Sequence, residues 1–245
     1  MQKYYANSNV GMQRQKNEDY YKVFTYAGYN IYIVADGMGG YQGGEIASKM
    51  AVETISSSIE TAIDKGLIET KNGICLTIID SIKRANLKIF EYAKKDEIYK
   101  NMGTTIVVVV EKNNKLYYVT VGDSRIYILS NELKQISKDD TYVAALVKDK
   151  IITEEEAKVH PQRHVLTKAL GIGKKVELSY NEREINNKDI LLICTDGITN
   201  MIEDKEISKI LDENRNTEID VANKLIESAN KNGGKDNSTA IVVYM

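Results

Sequence analysis

Proline is almost absent from this sequence, with Pro161 alone among 245 residues; tryptophan is missing, and the two cysteines, Cys75 and Cys194, lie far apart. Those gaps exclude a collagen-like or Pro-rich chain and a disulfide framework. A reducing, cytoplasmic setting is expected for such a chain. Neither sign of charge is in excess: 33 Lys plus Arg face 35 Asp plus Glu, a formal net charge of -2. That balance, with 42% hydrophobic residues, argues against disorder and against a generic polyanion binder. No apolar run reaches the roughly 18 residues of a membrane span, and the residues after Met1 are polar rather than an apolar signal core. The expectation is a soluble, unexported protein with no nucleic-acid or membrane partner.

What is present suits one large domain. The length is ample for a core, and no repeat, low-complexity tract or linker divides residues 1–245. Strand-like runs rich in β-branched and aromatic residues occur at 31–35, 104–110, 116–121, 125–129, 190–194 and 239–244. The middle three read as an antiparallel meander, joined by polar residues 111–115 and by the tight turn Gly122-Asp123-Ser124. Helical periodicity places Ile46, Met50, Ile55, Ile59 and Ala62 on one face of a first helix. A second carries Ile74, Ile78, Ile82, Ala85 and Ile89, and both faces need a sheet to cover; a further helix spans about 220–229. Strand clusters alternating irregularly with helices predict an α+β layered fold. Residues 138–170, with a capping-box pattern at Thr153 broken by His160-Pro161 and Gly171, read as an inserted flap.

Three apolar runs end in an aspartate at a glycine turn, giving Asp36-Gly37, Gly122-Asp123 and Asp196-Gly197, and Asp236 precedes the last strand. Any one of these is an ordinary turn signal. Together they place four carboxylates at strand ends that can converge, and two carboxylates about 4 Å apart repel by about 4 kcal/mol at an effective dielectric near 20. A cation between them would resolve the repulsion. Carboxylates and carbonyls without Cys or His at metal spacing specify a hard Mg²⁺ or Mn²⁺ ion rather than zinc. A bridging Asp between two such ions suits hydrolysis at phosphorus. Arg14, shortly before Asn17-Glu18-Asp19, reads equally as part of a solvated charged turn or as a phosphate-binding fork with acids that hold metal-bound water. Spacing does not choose between them. Gly39-Gly40-Tyr41-Gln42-Gly43-Gly44 lacks the lysine of a P-loop, since Glu45 follows, and its glycines suit a turn close to the metal site that starts a helix from Glu45. Neither cysteine has the basic surroundings of a nucleophile.

The residues resemble the bacterial branch of the PPM (type 2C) metal-dependent Ser/Thr protein phosphatases. The resemblance rests on seven ordered motifs: 11–19 (G-x-x-R-x-x-N-E-D), 34–48 (VADGMGGYQGGEIAS), 103–105 (GTT), 121–127 (VGDSRIY), 160–171 (HPQRHVLTKALG), 194–197 (CTDG) and 234–238 (GKDNS). It implies a four-layer α-β-β-α sandwich, two antiparallel sheets flanked by helix pairs, with a dinuclear centre at one end. Asp36 would bridge two Mn²⁺ or Mg²⁺ ions, the Gly37 carbonyl would ligate the second, and Asp196 and Asp236 the first. Glu18 and Asp19 would act through bound water, Asp123 with Asp196 would hold a third, weaker ion, and Arg14 would bind phosphate. In-line attack by a metal-bound hydroxide, without a phosphoenzyme, follows. Phosphorylated proteins and a cognate Ser/Thr kinase would be the partners of a monomer. Rival readings are a partner-switching phosphatase of the same superfamily and a pseudophosphatase that binds phosphoproteins without turnover. Two positions depart from the family pattern: Tyr41 and Asp140 stand where relatives commonly carry His. The only histidines, His160 and His164, fall in the flap motif.

Overall fold

The computed structural model describes residues 3–215 and 217–245, with residues 40–42 described by their backbone alone. In chain order the strands and helices are β1 (Lys3–Asn9), β2 (Asp19–Tyr26), β3 (Tyr29–Met38), α1 (Gly40–Asp64), α2 (Lys71–Ala93), β4 (Gly103–Thr104), β5 (Ile106–Lys112), β6 (Lys115–Val121) and β7 (Arg125–Leu129). There follow β8 (Leu133–Gln135), α3 (Tyr142–Lys148), α4 (Glu154–Val159), β9 (Asn181–Glu184), β10 (Ile190–Cys194), α5 (Asp196–Thr199), α6 (Asp204–Glu213), α7 (Val221–Lys231) and β11 (Ser238–Tyr244).

Two antiparallel sheets are formed, ordered β1-β11-β10-β7-β8 and β2-β3-β5-β6-β9, with β4 added beside β3. Strand alternation sends one set of side chains inward between the sheets, where Tyr32, Val34, Val107 and Val109 meet Ile126, Ile128, Leu191, Ile193 and Ile241. The opposite set points to helices. Ile31, Ile33, Val108 and Val110 pack against Ala51, Ile55 and Ile59 of α1 and Ile78, Ile82 and Ile89 of α2. On the far side Tyr127, Leu192 and Val242 pack against Ile207 and Leu211 of α6 and Val221 and Leu225 of α7. The expected four-layer α-β-β-α sandwich is therefore present. Its central strands β3, β5, β6, β7, β10 and β11 read as apolar runs because both of their faces are covered, and each buried Ile, Leu or Val stabilises the fold by about 1.5–3 kcal/mol. Local signals set the helix starts: Thr70 accepts from the Gly73 N–H at 3.0 Å, and Thr153 forms a reciprocal capping box with Glu156. Among the described residues no helix is long and apolar enough to cross a membrane.

Three local expectations are corrected. The meander is broken: β6 pairs with β5 and β9, whereas β7 pairs with β10 and β8 in the other sheet. The turn between them is a sheet switch, made possible by Gly122 in the left-handed region (φ 97°), where an added Cβ would stand 2.6 Å from Thr105 Cγ2. Asp36-Gly37 is not a turn either, because β3 continues through it and Gly37 pairs with Thr104. Helix α1 begins at Gly40 rather than Glu45. Its first-turn glycines serve close packing, since a Cβ on Gly43 would meet Met102 Cβ at 2.6 Å and one on Gly44 would meet Glu18 Oε1 at 2.6 Å.

Residues 138–170 leave the sheets as α3 and α4 and return through a closed neck. Tyr142 N–H donates to the Val165 carbonyl at 2.8 Å and Thr167 N–H to the Asp140 carbonyl at 2.7 Å. Both roots attach beside the motif strands. Asp140 N–H donates to the Gly122 carbonyl at 2.8 Å, its carboxylate meets Lys168 at 3.1 Å, and Leu170 exchanges two backbone bonds with Thr104.

Candidate metal centre

The motif acids gather at one end of the sandwich, delivered by both sheets. The register of β2 on β3 sets Asp19 opposite Asp36. Asp196 is the first residue of α5, directly after β10, and Asp123 sits in the switch between β6 and β7. The Asp36 backbone is clamped from β4 and the residue that follows it: its carbonyl accepts from Thr105 N–H at 2.8 Å and Thr104 Oγ1 at 2.9 Å, and its N–H donates to Thr105 Oγ1 at 3.0 Å. Gly37 N–H donates to the Glu18 carbonyl at 3.1 Å. There is no room for a side chain at Gly37, where a Cβ would lie 2.2 Å from the Gly44 carbonyl oxygen.

Crowded acids repel, and their proton affinities record it. Burial, followed by Asp19, Asp196, Asp123 and Asp236, holds the Asp36 carboxyl far above the usual carboxylate range. Burial and the charges of Asp196 and Asp236 push Asp19 up to about 7, against the pull of the Thr239 and Thr195 hydroxyls. Asp123 is likewise raised to about 7 by burial, Asp196 and Asp139. Asp196 is raised by burial and by Asp236, although it shares a hydrogen bond with Asp36 and accepts one from Asn200 at 2.8 Å. Burial also raises Glu18, opposed by Arg14 and by the Gly44 N–H.

Arg14 pairs directly with one of these acids. Arg14 Nη2 lies 2.8 Å from Asp236 Oδ2. Partial burial works against the guanidinium, but Asp236, Glu18 and Asp36 outweigh it and hold it protonated. The loop that carries Arg14 is held on the 233–237 turn by Asn237, whose Nδ2 donates to the Val10 and Lys16 carbonyls at 2.9 Å each and whose Oδ1 accepts from Glu18 N–H at 2.8 Å.

Every acid singled out from the sequence thus lies in, or one residue from, a single electrostatic cluster. The histidines differ. His160 closes α4, where its Nδ1 accepts from Gln162 N–H at 3.1 Å and its ring packs on Tyr142. His164 is exposed, and its charge is among the influences that draw Asp196 down. The Tyr41 side chain lies outside the described residues. Sequence reasoning missed the uncharged residues that hold the acids: Asn237, Asn200, Thr104, Thr105, Thr195 and Thr239. Their hydrogen-bonding groups carry no charge or spacing signal, though several stand next to a motif acid.

The donor set fits hard divalent cations. It consists of oxygens, and Asp19 Oδ1 is a buried acceptor with no partner. Among the described residues no three acidic, His or Cys side chains close on one point as a finished ligand shell.

Compared with known proteins, the chain matches the profile of the protein phosphatase 2C family over residues 12–225. It is 36% identical over 235 residues to the serine/threonine phosphatase Stp of Listeria monocytogenes, covering 95% of this chain and 92% of that one. Its backbone is similar to the crystal structure of the serine/threonine phosphatase Stp1 from Staphylococcus aureus, with a TM-score of 0.90 at 33% identity, covering 100% of this chain and 95% of the other. It is also similar to the catalytic domain of the serine/threonine protein phosphatase PstP in complex with two manganese ions, with a TM-score of 0.82 at 32% identity, covering 99% and 97% of the two chains.

Proposed function

This chain belongs to the protein phosphatase 2C family, and from that premise we propose that it hydrolyses phosphoserine and phosphothreonine on proteins at a pair of Mn²⁺ or Mg²⁺ ions. The observation that carries the reading is the mutual electrostatic crowding of Asp36, Asp19, Asp123, Asp196 and Asp236, with Arg14 paired to Asp236. So many close carboxylates cost stability unless cations offset them.

In this reading Asp36, the Gly37 carbonyl, Asp196 and Asp236 hold two ions directly, Glu18 and Asp19 act through water, and Asp123 with Asp196 holds a third, weaker one. When bound, the ions supply Lewis acidity that lowers the pKa of water and draws charge from the phosphoryl oxygens. The protein's own part is positioning. Thr104 and Thr105 fix the Asp36 backbone, and Asn237 fixes the loop that presents Arg14. The Arg14 fork exchanges Asp236 for two phosphoryl oxygens, so substrate phosphate replaces a carboxylate of like charge. A water protonates the leaving alkoxide. Residues 138–170 act as a flap of a single catalytic domain. The enzyme works as a monomer in the cytoplasm, where the free, buried Cys75 and Cys194 stay reduced, and reverses a Ser/Thr kinase.

The test is hydrolysis of a phosphothreonine peptide by the metal-stripped chain titrated with Mn²⁺, Mg²⁺ and Zn²⁺, with Asp36→Asn as control. Turnover that requires Mn²⁺ or Mg²⁺ and vanishes in the variant is expected. Saturable Mn²⁺ binding without turnover would replace the proposal with a phosphoprotein-binding module.

A further inference from the structure

Asp19 is 6% exposed and is held in an unusual way. Its Oδ2 accepts two hydroxyl protons, from Thr195 Oγ1 at 2.9 Å and Thr239 Oγ1 at 2.7 Å, while its Oδ1 is buried without a partner. The two threonines are fully buried; Thr195 follows β10 as the residue before α5, and Thr239 lies at the start of β11. The direction of each bond is fixed by chemistry. The Thr239 hydroxyl has one proton and gives it to Asp19, so its 2.7 Å contact with Ser8 Oγ is filled by the proton of Ser8. Ser8 Oγ accepts in turn from Asn17 Nδ2 at 2.8 Å. Asn17 is oriented by its Oδ1, which accepts the Asp19 N–H at 3.2 Å. Thr195 Oγ1 is oriented as well, because it accepts the Thr239 N–H at 2.9 Å.

Three hydroxyls and an amide therefore all donate toward one carboxylate oxygen, and such chains strengthen one another in a buried setting. Oδ2 is fully engaged. A buried acceptor left alone carries a desolvation cost, so Oδ1 is maintained unpaired against a penalty that a ligand would remove. We infer that Thr195 and Thr239, backed by Ser8 and Asn17, are positioning residues that grip Asp19 by Oδ2 and reserve Oδ1 for the hydration shell of a bound divalent cation. The inference rests on the metal centre proposed above and adds residues that none of its ligand positions include. Thr195 and Thr239 touch neither substrate nor ion; they act through Asp19.

Mn²⁺ binding to the metal-stripped full chain, measured by titration calorimetry beside the melting temperature of the metal-free protein, tests it. Partners of this kind change metal affinity by about 10–100-fold when removed, so Thr239→Val should weaken Mn²⁺ binding by about tenfold, and Thr239→Ser, which keeps the hydroxyl, should restore most of it. In an Asp19→Asn background Thr239→Val should change Mn²⁺ affinity no further. A purely structural threonine would instead lower the metal-free melting temperature in both backgrounds and leave Mn²⁺ affinity alone. Ser8→Ala, on the partly exposed β1, tests the same chain with little risk to folding and should weaken Mn²⁺ binding by a smaller factor. Wild-type affinity in both Thr239→Val and Ser8→Ala, or an equal loss with and without Asp19, would overturn the clamp while leaving the metal centre intact. Absence of Mn²⁺ binding in the wild type would overturn the metal centre and the clamp together.

Discussion

Stripped of metal, this protein should become less stable as pH rises through neutrality, against the usual behaviour of carboxylates paired with cations. Asp19 and Asp123 have their proton affinities raised to about 7 in the fold. An unfolded Asp titrates near about 3.9. Between those values the native state binds more protons than the unfolded state, so the slope of unfolding free energy with pH is negative. The full stability is present below about pH 4 and is lost progressively up to and through about pH 7. Neighbouring carboxylates share protons, and counting one proton over about three pH units gives a loss of about 4 kcal/mol. For a chain of this size that is about 8–16 °C in melting temperature. Glu156 is held low by hydrogen bonds from the Thr153 N–H and hydroxyl, and Glu182 by those from Lys71 and Lys115; both work in the opposite sense, but at the acid end. The informative window is therefore pH 5 to 7.5. Thermal melts with chelator and with saturating Mn²⁺ should diverge across it, with the metal-free curve falling and the gap widening as pH rises. A metal-free melting temperature that rises or stays flat from pH 5 to 7.5 would refute the electrostatic account of the cluster.

Arg14→Ala should raise KM for an aryl phosphate by about tenfold or more, the worth of a charge-assisted hydrogen bond, while tightening Mn²⁺ binding because Asp236 loses its ion pair; steady-state kinetics and calorimetry together check both signs. Asp123→Asn should shift the Mn²⁺ concentration needed for half-maximal hydrolysis upward without abolishing turnover, since its charge acts on Asp36 from the edge of the cluster. Gly197→Ala should cost about 3 kcal/mol or more in urea unfolding, because the new Cβ would lie 1.8 Å from the Asn237 carbonyl oxygen and would force α5 off the 236–238 turn.

The elements legible in the sequence were those with a long, single period. The apolar runs behind β3, β5, β6, β7, β10 and β11 and the faces of α1, α2 and α7 each bury enough Ile, Val and Leu to declare themselves. β1 (KYYANSN) and β2 (DYYKVFTY) were not seen, because they are half-exposed and their aromatic and polar residues match no clean alternation. α3 and α5 and the three- and four-residue strands β8 and β9 are too short for any period to show, whereas α6 does carry helical spacing in Ile207, Ile210 and Leu211, a signal that the sequence reading passed over. The meander failed for a different reason. Adjacency in sequence predicts pairing, but Gly122 turns the chain into the opposite sheet, where β10 offers an apolar partner on both faces.

The same division holds at the candidate site. Charged residues in glycine-flanked motifs announce themselves, so the sequence by itself determined which acids and which arginine are available, and their oxygen donors are of the kind that hard ions take. Tertiary structure alone decided who restrains whom. Arg14 meets Asp236 across 222 residues, and Ser8 reaches Thr239 across 231 through the pairing of β1 with β11. Composition and local spacing are set along the chain, whereas a hydrogen bond forms only between atoms about 3 Å apart, and that distance is fixed by how the strands register and the sheets stack.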